Sequence, residues 1–319
     1  MLNLFLTFII SLLLALILGK PMLRLCHKLH FSQTILHYVD NHAGKSGTPT
    51  MGGLIFILSS LIGSLIFIKG DGGISLIILL VFFAYGLLGF LDDIIKVRGH
   101  KNEGLKPYQK IIGQVGVATV IGIFVYLKVG STLDLFGLKL NIGFFIIPFI
   151  ILFYVAVTNS VNLTDGLDGL AGGTSVIYLI TFAVILYLQG FTNFSIISLA
   201  LAGSLVGFLC FNCFPAKIFM GDTGSLAIGG LIASLAVFSG LELIMPIIGI
   251  MFVMSALSDV LQVLHYKRTK KRIFKMAPLH HHFERCGVHE NRIVLVYIVI
   301  TLLCGLASIL GYLAVGGVI

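Results

Sequence analysis

The chain has 319 residues, of which 58% are hydrophobic and only 11% charged, with a formal net charge of +8. A mean hydropathy of +1.07 excludes an ordinary water-soluble globule and places most of the chain in a lipid bilayer. The positive charge is expected to orient the chain and attract anionic lipid; no nucleic-acid partner is expected.

Hydropathy predicts an all-α, polytopic membrane protein of about ten helices, each near the ~20 residues that cross hydrocarbon. In chain order they fall roughly at 3–19, 51–68, 74–91, 111–127, 142–158, 170–188, 194–211, 225–240, 243–264 and 293–315. The first segment has no basic flank and no small-residue cleavage site, so it is expected to be retained as a span. The fifth carries Pro148, tolerable where the freed carbonyl finds a partner. Only Leu241 and Glu242 separate the eighth from the ninth. With no linker and no internal repeat, residues 1–319 are expected to form one integral membrane domain.

One set of alternate loops, roughly 20–50, 92–110, 159–169, 212–224 and 265–292, holds most of the basic residues. Of the 21 Lys and Arg, only Lys69, Lys128 and Lys139 fall on the other side. The positive-inside rule puts the rich set in the cytoplasm and both termini outside. All ten His residues lie on, or at the edge of, the same set. Every acidic cluster that carries chemistry also belongs there. Carboxylates beside hydrocarbon are costly and default to a functional reading, and the loops must converge for them to serve one site.

The first loop, from His42 to Gly53, surrounds Lys45 with glycines and hydroxyls that can wrap an anion. It lacks the P-loop spacing, and a flexible loop before a helix start fits it as well. Asp92-Asp93 closes the third span. Two acids at a helix C-terminus oppose the macrodipole. Adjacent helical residues point about 100° apart, so one is expected to approach a metal or phosphate while its neighbour turns along the interface. In Asn159–Leu170, Asp165 and Asp168 face the same way if the segment is a helical turn. Its glycines allow close approach by a ligand. Asn212 and Phe219–Ser225 form the fourth loop. Asp222 there is either a helix N-cap or a hard oxygen ligand for Mg²⁺. Phe219 either stacks a base or anchors the loop in lipid. The last loop carries His280-His281-His282-Phe283-Glu284. Three consecutive imidazoles do not converge easily on one zinc ion, but they can bind phosphate oxygens or move protons. The basic run Lys267–Lys275 before them suits lipid headgroups. Cys210 and Cys213, with no second pair nearby, read as small apolar residues at a helix end.

Taken in order, Gly47–Gly53, Asp92-Asp93, Asn162–Gly169, Phe219–Ser225 and Pro278–Glu284 resemble the polyprenyl-phosphate N-acetylhexosamine-1-phosphate transferase superfamily. The first and last of these segments point to its phospho-N-acetylmuramoyl-pentapeptide transferase branch. The resemblance covers essentially the whole chain. It implies ten spans in the bacterial cytoplasmic membrane with the active site on the cytoplasmic face. The implied reaction moves phospho-MurNAc-pentapeptide from UDP-MurNAc-pentapeptide to undecaprenyl phosphate, giving lipid I and UMP, with Mg²⁺ as cofactor. By motif, Asp222 is the implied Mg²⁺ ligand. Asp92 and Asp93 lie by the lipid phosphate, one as a proposed base, and Lys110 meets phosphate. Lys45, Gly166, Leu167, Asp168, Asn212 and Phe219 form the implied uridine pocket. Asn162, Asp165, His280, His281 and His282 line the reacting centre. A homodimer is implied as well. Two rivals stand beside this reading. One is a UDP-GlcNAc transferase, expected to lack the triple-His pattern. The other is a secondary transporter, expected to carry its charges near the bilayer midplane in inverted repeats.

Overall fold

A computed structural model of the chain describes residues 1–29, 47–70, 73–99, 104–135 and 138–314. The first half comprises α1 (Leu2–Lys28), α2 (Gly53–Phe67), α3 (Gly73–Gly99), α4 (Pro107–Phe124) and α5 (Ile146–Thr164). The second comprises α6 (Leu170–Leu188), α7 (Thr192–Asn212), α8 (Gly221–Ser239), α9 (Met245–Ile248), α10 (Ile250–Thr269), α11 (Leu279–Arg285) and α12 (Glu290–Ala314). A wider helical turn, Val125–Val129, extends α4. A short antiparallel hairpin follows, β1 (Thr132–Leu135) and β2 (Leu138–Asn141), with Thr132 opposite Asn141. Among the described residues, eight helices are long and apolar enough to cross a membrane: α1, α3, α4, α5, α6, α7, α8 and α12. The expected all-α polytopic membrane architecture is what the chain forms.

The bundle is built around α8. Its most apolar stretch is 89% buried, against 22% for α12, so α8 is the hub and α12 a lipid-facing wall. Small residues make this possible, because membrane helices associate through close packing rather than through a hydrophobic difference from lipid. A Cβ on Gly229 would fall 2.5 Å from the Thr158 Cα on α5. One on Gly230 would fall 2.7 Å from the Tyr85 ring on α3. Polar groups inside the bundle pair with each other. Tyr154 Oη donates to Ser234 Oγ at 2.9 Å, Tyr85 Oη to the Gln114 carbonyl at 3.1 Å, and Asn159 Nδ2 to Gln114 Oε1 at 2.7 Å. Each such bond contributes about 0.6 kcal/mol between membrane helices. Together they tie α3, α4, α5 and α8 beneath the polar end of the bundle.

Three expected boundaries differ. The first helix continues through Pro21 to Lys28, well past residue 19. The fifth starts at Ile146, which leaves Pro148 in the first turn, where its missing N–H has no intrahelical role. The ninth segment is not one helix. Gly240, at φ 70°, ends α8, and Gly249 separates α9 from α10. The polar residues of α10 hold the last loop: Ser258 Oγ accepts from Leu279 N at 2.9 Å, and Gln262 Oε1 from Ile273 N and Phe274 N, each at 3.0 Å. That task explains why α10 is too polar to count among the spans. As expected, the segments at 92–99, 104–110, 162–169, 212–222 and 279–290 meet at one end of the bundle.

Candidate active site

The site begins where α3 ends against the start of α8. Gly89 allows this approach, since any Cβ there would overlap the Asp222 carbonyl. The polar end of α2 joins them through backbone pairing. Phe219 N donates to the Pro49 carbonyl at 2.8 Å, and Gly52 N donates to the Phe219 carbonyl at 2.8 Å. Met51, fully buried at φ 68°, turns the chain from this pairing into α2. The Gly47–Gly53 and Phe219–Ser225 segments are thereby one structural unit.

Asp92, Asp93 and Asp222 each offer a carboxylate oxygen within 4.8 Å of the others. They are the one such grouping of metal-ligating side chains among the described residues. The two adjacent acids do diverge, but neither turns along the interface: Asp92 is 1% exposed and Asp93 0%. The expectation fails because protein encloses the end of α3 on both sides. Asp92 Oδ1 accepts from Leu105 N at 2.8 Å, in the segment entering α4. Asp93 faces the first turn of α8. Its Oδ2 accepts from Thr223 N at 2.9 Å and Thr223 Oγ1 at 2.7 Å, and its Oδ1 from Asp222 N at 3.2 Å. A carboxylate receiving the free N–H groups of a helix start satisfies them and complements the helix dipole. Asp93 therefore caps α8 from another helix. Asp222 does not cap its own, being one residue inside it. Its Oδ1 accepts from Asn162 Nδ2 at 2.6 Å, and that amide also donates to Ser225 Oγ at 2.8 Å.

Lysines hold the space between the carboxylates. Lys96 Nζ lies 2.6 Å from Asp92 Oδ2, 2.8 Å from Asp222 Oδ2 and 3.8 Å from Asp93 Oδ1. Lys110 Nζ lies 2.6 Å from Asp222 Oδ2 and 4.0 Å from Asp92 Oδ2. Two ammonium groups face three carboxylates, leaving the five-group cluster one charge negative. An all-oxygen donor set with a cation already among it suits a hard divalent ion. Sequence reasoning named Lys110 but missed Lys96, although Asp92 and Lys96 stand four apart on one helix face, a legible pairing distance.

The turn between α5 and α6 is not helical, so Asp165 and Asp168 diverge, contrary to expectation. Asp165 is half-buried on the cluster side. Burial pushes its carboxyl up to about 8, with the charges of Asp222, Asp93 and Asp168 adding to the shift and Lys96 opposing it. Asp168 is buried and turns the other way, its Oδ2 accepting from Ala216 N at 2.9 Å. Gly169 N donates to Asn212 Oδ1 at 3.1 Å, and Asn212 Nδ2 donates to the Ile218 carbonyl at 2.9 Å. Leu167 packs in a small apolar cluster with Leu170, Met251, Ile293 and Tyr297. Phe219, next in the chain after Ile218, is half-buried.

Of the three histidines only His282 turns away: its Nδ1 accepts from Lys275 N at 3.1 Å and braces the loop. The His280 and His281 rings lie together, centroids 4.3 Å apart, on the Gly166 side, and His281 Nδ1 pairs with Glu284 at 3.1 Å. His280 is fully buried against Gly166, where any Cβ would overlap its ring. Neither of its nitrogens has a hydrogen-bond partner in the protein. Burial, with a contribution from His281 and against Glu284, pulls its pKa down to about 3, so the imidazole is neutral. Lys45 lies outside the described residues. The cysteines are free.

A profile for glycosyl transferase family 4 matches residues 75–240, and the phospho-N-acetylmuramoyl-pentapeptide-transferase signature 1 matches residues 45–57. Curated relatives with that transferase name align over nearly the whole chain. One from Clostridium botulinum (strain Eklund 17B / Type B) is 44% identical over 303 residues, covering 94% of this chain and 93% of the relative. One from Clostridium perfringens (strain 13 / Type A) is 45% identical, covering 92% and 93%. One from Clostridium novyi (strain NT) is 42% identical, covering 97% of both.

Proposed function

The chain belongs to the phospho-N-acetylmuramoyl-pentapeptide-transferase family, and from that premise we propose how its buried charge cluster performs the family's transfer. It is a multi-pass bacterial membrane enzyme that moves phospho-MurNAc-pentapeptide from its UDP carrier to undecaprenyl phosphate, giving lipid I and UMP. The observation that carries the mechanism is the convergence of Asp92, Asp93 and Asp222 with Lys96 and Lys110 beside the 165–169 turn. Asp222 and Asp92 are the residues that would hold Mg²⁺. Bound there, the ion supplies Lewis-acid neutralisation of pyrophosphate charge.

A lipid phosphate oxygen attacks the β-phosphorus and the bond to the UMP oxygen breaks. Both partners are anionic, so Lys96 and Lys110 offset their repulsion and the charge that gathers on UMP. Asn162 fixes the Asp222 carboxylate. An ionised lipid phosphate needs no strong base, and Asp93 is occupied with three donors from α8. These facts favour direct attack over a phospho-enzyme. Phe219 stacks the uracil, while the Gly166–Asp168 turn and Asn212 line the uridine pocket. Lys45 is assigned to the same pocket by motif. His280, neutral and with open nitrogens beside Gly166, exchanges hydrogen bonds with the phosphates, and His281 and His282 shape its loop.

The convergent end of the bundle faces the cytoplasm, both termini lie outside, and α2 and α9–α10 complete ten crossings. The protein works as a homodimer, testable by light scattering in detergent. The decisive experiment incubates purified protein with UDP-MurNAc-pentapeptide, undecaprenyl phosphate and Mg²⁺ and measures UMP, with UDP-GlcNAc in parallel and chelator as control. UMP release from UDP-GlcNAc alone, or release insensitive to chelator, sinks the reading. Direct attack further requires that lipid-stripped enzyme give no stoichiometric burst of UMP, with residual polyprenyl phosphate quantified in the same sample.

A further inference from the structure

Glu290 opens α12 and is 8% exposed. A carboxylate at the first position of a helix usually faces solvent and complements the dipole. At the start of α12, His289 Nδ1 accepts from Asn291 N at 3.2 Å and its carbonyl from Arg292 N at 2.9 Å. Glu290 reaches a segment 122 residues away, where its Oε1 accepts from the backbone N–H of Asp168 at 2.5 Å. Burying a carboxylate is costly unless strong hydrogen bonds offset it, and a bond from a backbone N–H to an ionised acceptor is of the strong class.

The position of this bond gives it a consequence. Asp168 N lies at the centre of the turn between α5 and α6. From that turn one hydrogen-bonded path runs outward: Asp168 Oδ2 to Ala216 N, Gly169 N to Asn212, and Asn212 to the Ile218 carbonyl, next to Phe219. The apolar cluster of Leu167, Leu170, Ile293 and Tyr297 fixes the start of α12 against the same turn. The Tyr297 ring also lies 6.4 Å from His280. One rigid helix thus holds both the nucleotide turn and the histidine loop.

We propose that Glu290 is a positioning residue for the nucleotide half of the donor substrate, holding the Gly166–Asp168 backbone in its binding conformation through Asp168 N. This rests on the reading that the turn and Phe219 meet the uridine. Nothing in the sequence around Glu290 marks it, because the bond is formed only by tertiary contact.

The test uses the full-length protein in detergent with Glu290→Ala and Glu290→Gln, and with Phe219→Ala as a reference. Glutamine keeps an acceptor oxygen, so it is expected to remain within about threefold of wild type. Alanine is expected to raise the KM for the UDP substrate, and to weaken UMP binding by calorimetry, by about tenfold. The KM for undecaprenyl phosphate should stay within twofold. A structural defect alone would lower kcat and the active fraction without this split. If Glu290→Ala fails to fold, Glu290→Asp, one methylene short, replaces it with the same expectation. Phe219→Ala weakening UMP while the Glu290 variants do not would overturn the proposal alone. Unchanged UMP affinity in all variants would overturn the nucleotide reading with it.

Discussion

Asp93→Asn separates a structural carboxylate from a chemical one. Asp93 receives three donors from the start of α8: Thr223 N, Thr223 Oγ1 and Asp222 N. An asparagine can present its oxygen to both Thr223 donors, but its NH₂ then meets the Asp222 N–H. Leaving that buried donor unsatisfied costs about 1–3 kcal/mol. Loss of the anion at the helix start adds about 0.3–1 kcal/mol. The relief of repulsion from Asp92 and Asp222 partly offsets this, so a net destabilisation of about 1–3 kcal/mol is expected. At about 2–4 °C per kcal/mol for large domains, melting in detergent, followed with a thiol-reactive dye, should fall by several degrees. Activity should fall as well, because Asp222 is carried on the same turn. Thr223→Val in the Asp93→Asn background should add less than it does alone, because the two side chains share one bond. An Asp93→Asn protein with wild-type melting and no activity would refute the cap and return Asp93 to the chemistry.

Asp222→Asn should abolish transfer and its Mg²⁺ dependence while melting stays near wild type, because the amide keeps the shape and the Asn162 contact region but loses the charge a hard cation needs; near-normal turnover with an unchanged Mg²⁺ requirement would remove it as a ligand. Phe219→Ala should raise the nucleotide KM by roughly tenfold to a hundredfold, from a stacking energy of about 1–3 kcal/mol; a fixed KM with a collapsed kcat would be the wrong sign for a base platform. Asp165, with its pKa raised to about 8 by burial and neighbouring acids, binds an extra proton in the folded state between its ordinary pKa and that value. Its contribution to stability is therefore largest at low pH and is lost as pH rises towards 8. The melting difference between wild type and Asp165→Asn should follow that slope in chelator and flatten with Mg²⁺; a pH-independent difference contradicts it. His280, lowered to about 3 by burial, contributes stability above its ordinary pKa that is lost as the pH falls towards 3, which a wild-type against His280→Gln melting series checks.

The amino-acid sequence alone determined the membrane class, the placement of most helices and which loops carry the chemistry. Long apolar runs can satisfy their backbone in lipid only as helices, and charged loops announce themselves against such a background. It also determined the family, through short segments that match in order. Tertiary structure decided what each charged group does. Asp92 and Asp93 are neighbours in the chain, yet one meets the entry to α4 and two lysines while the other caps α8, because different helices lie on their two sides. Asp165 and Asp168 part because the turn that carries them is not helical. Lys96 was legible as a partner of Asp92, but not as the cation shared with Asp222, which comes from 126 residues away. The break at Gly249 and the reach of Glu290 were invisible to hydropathy, which records how a residue partitions into lipid and not which buried group it will face.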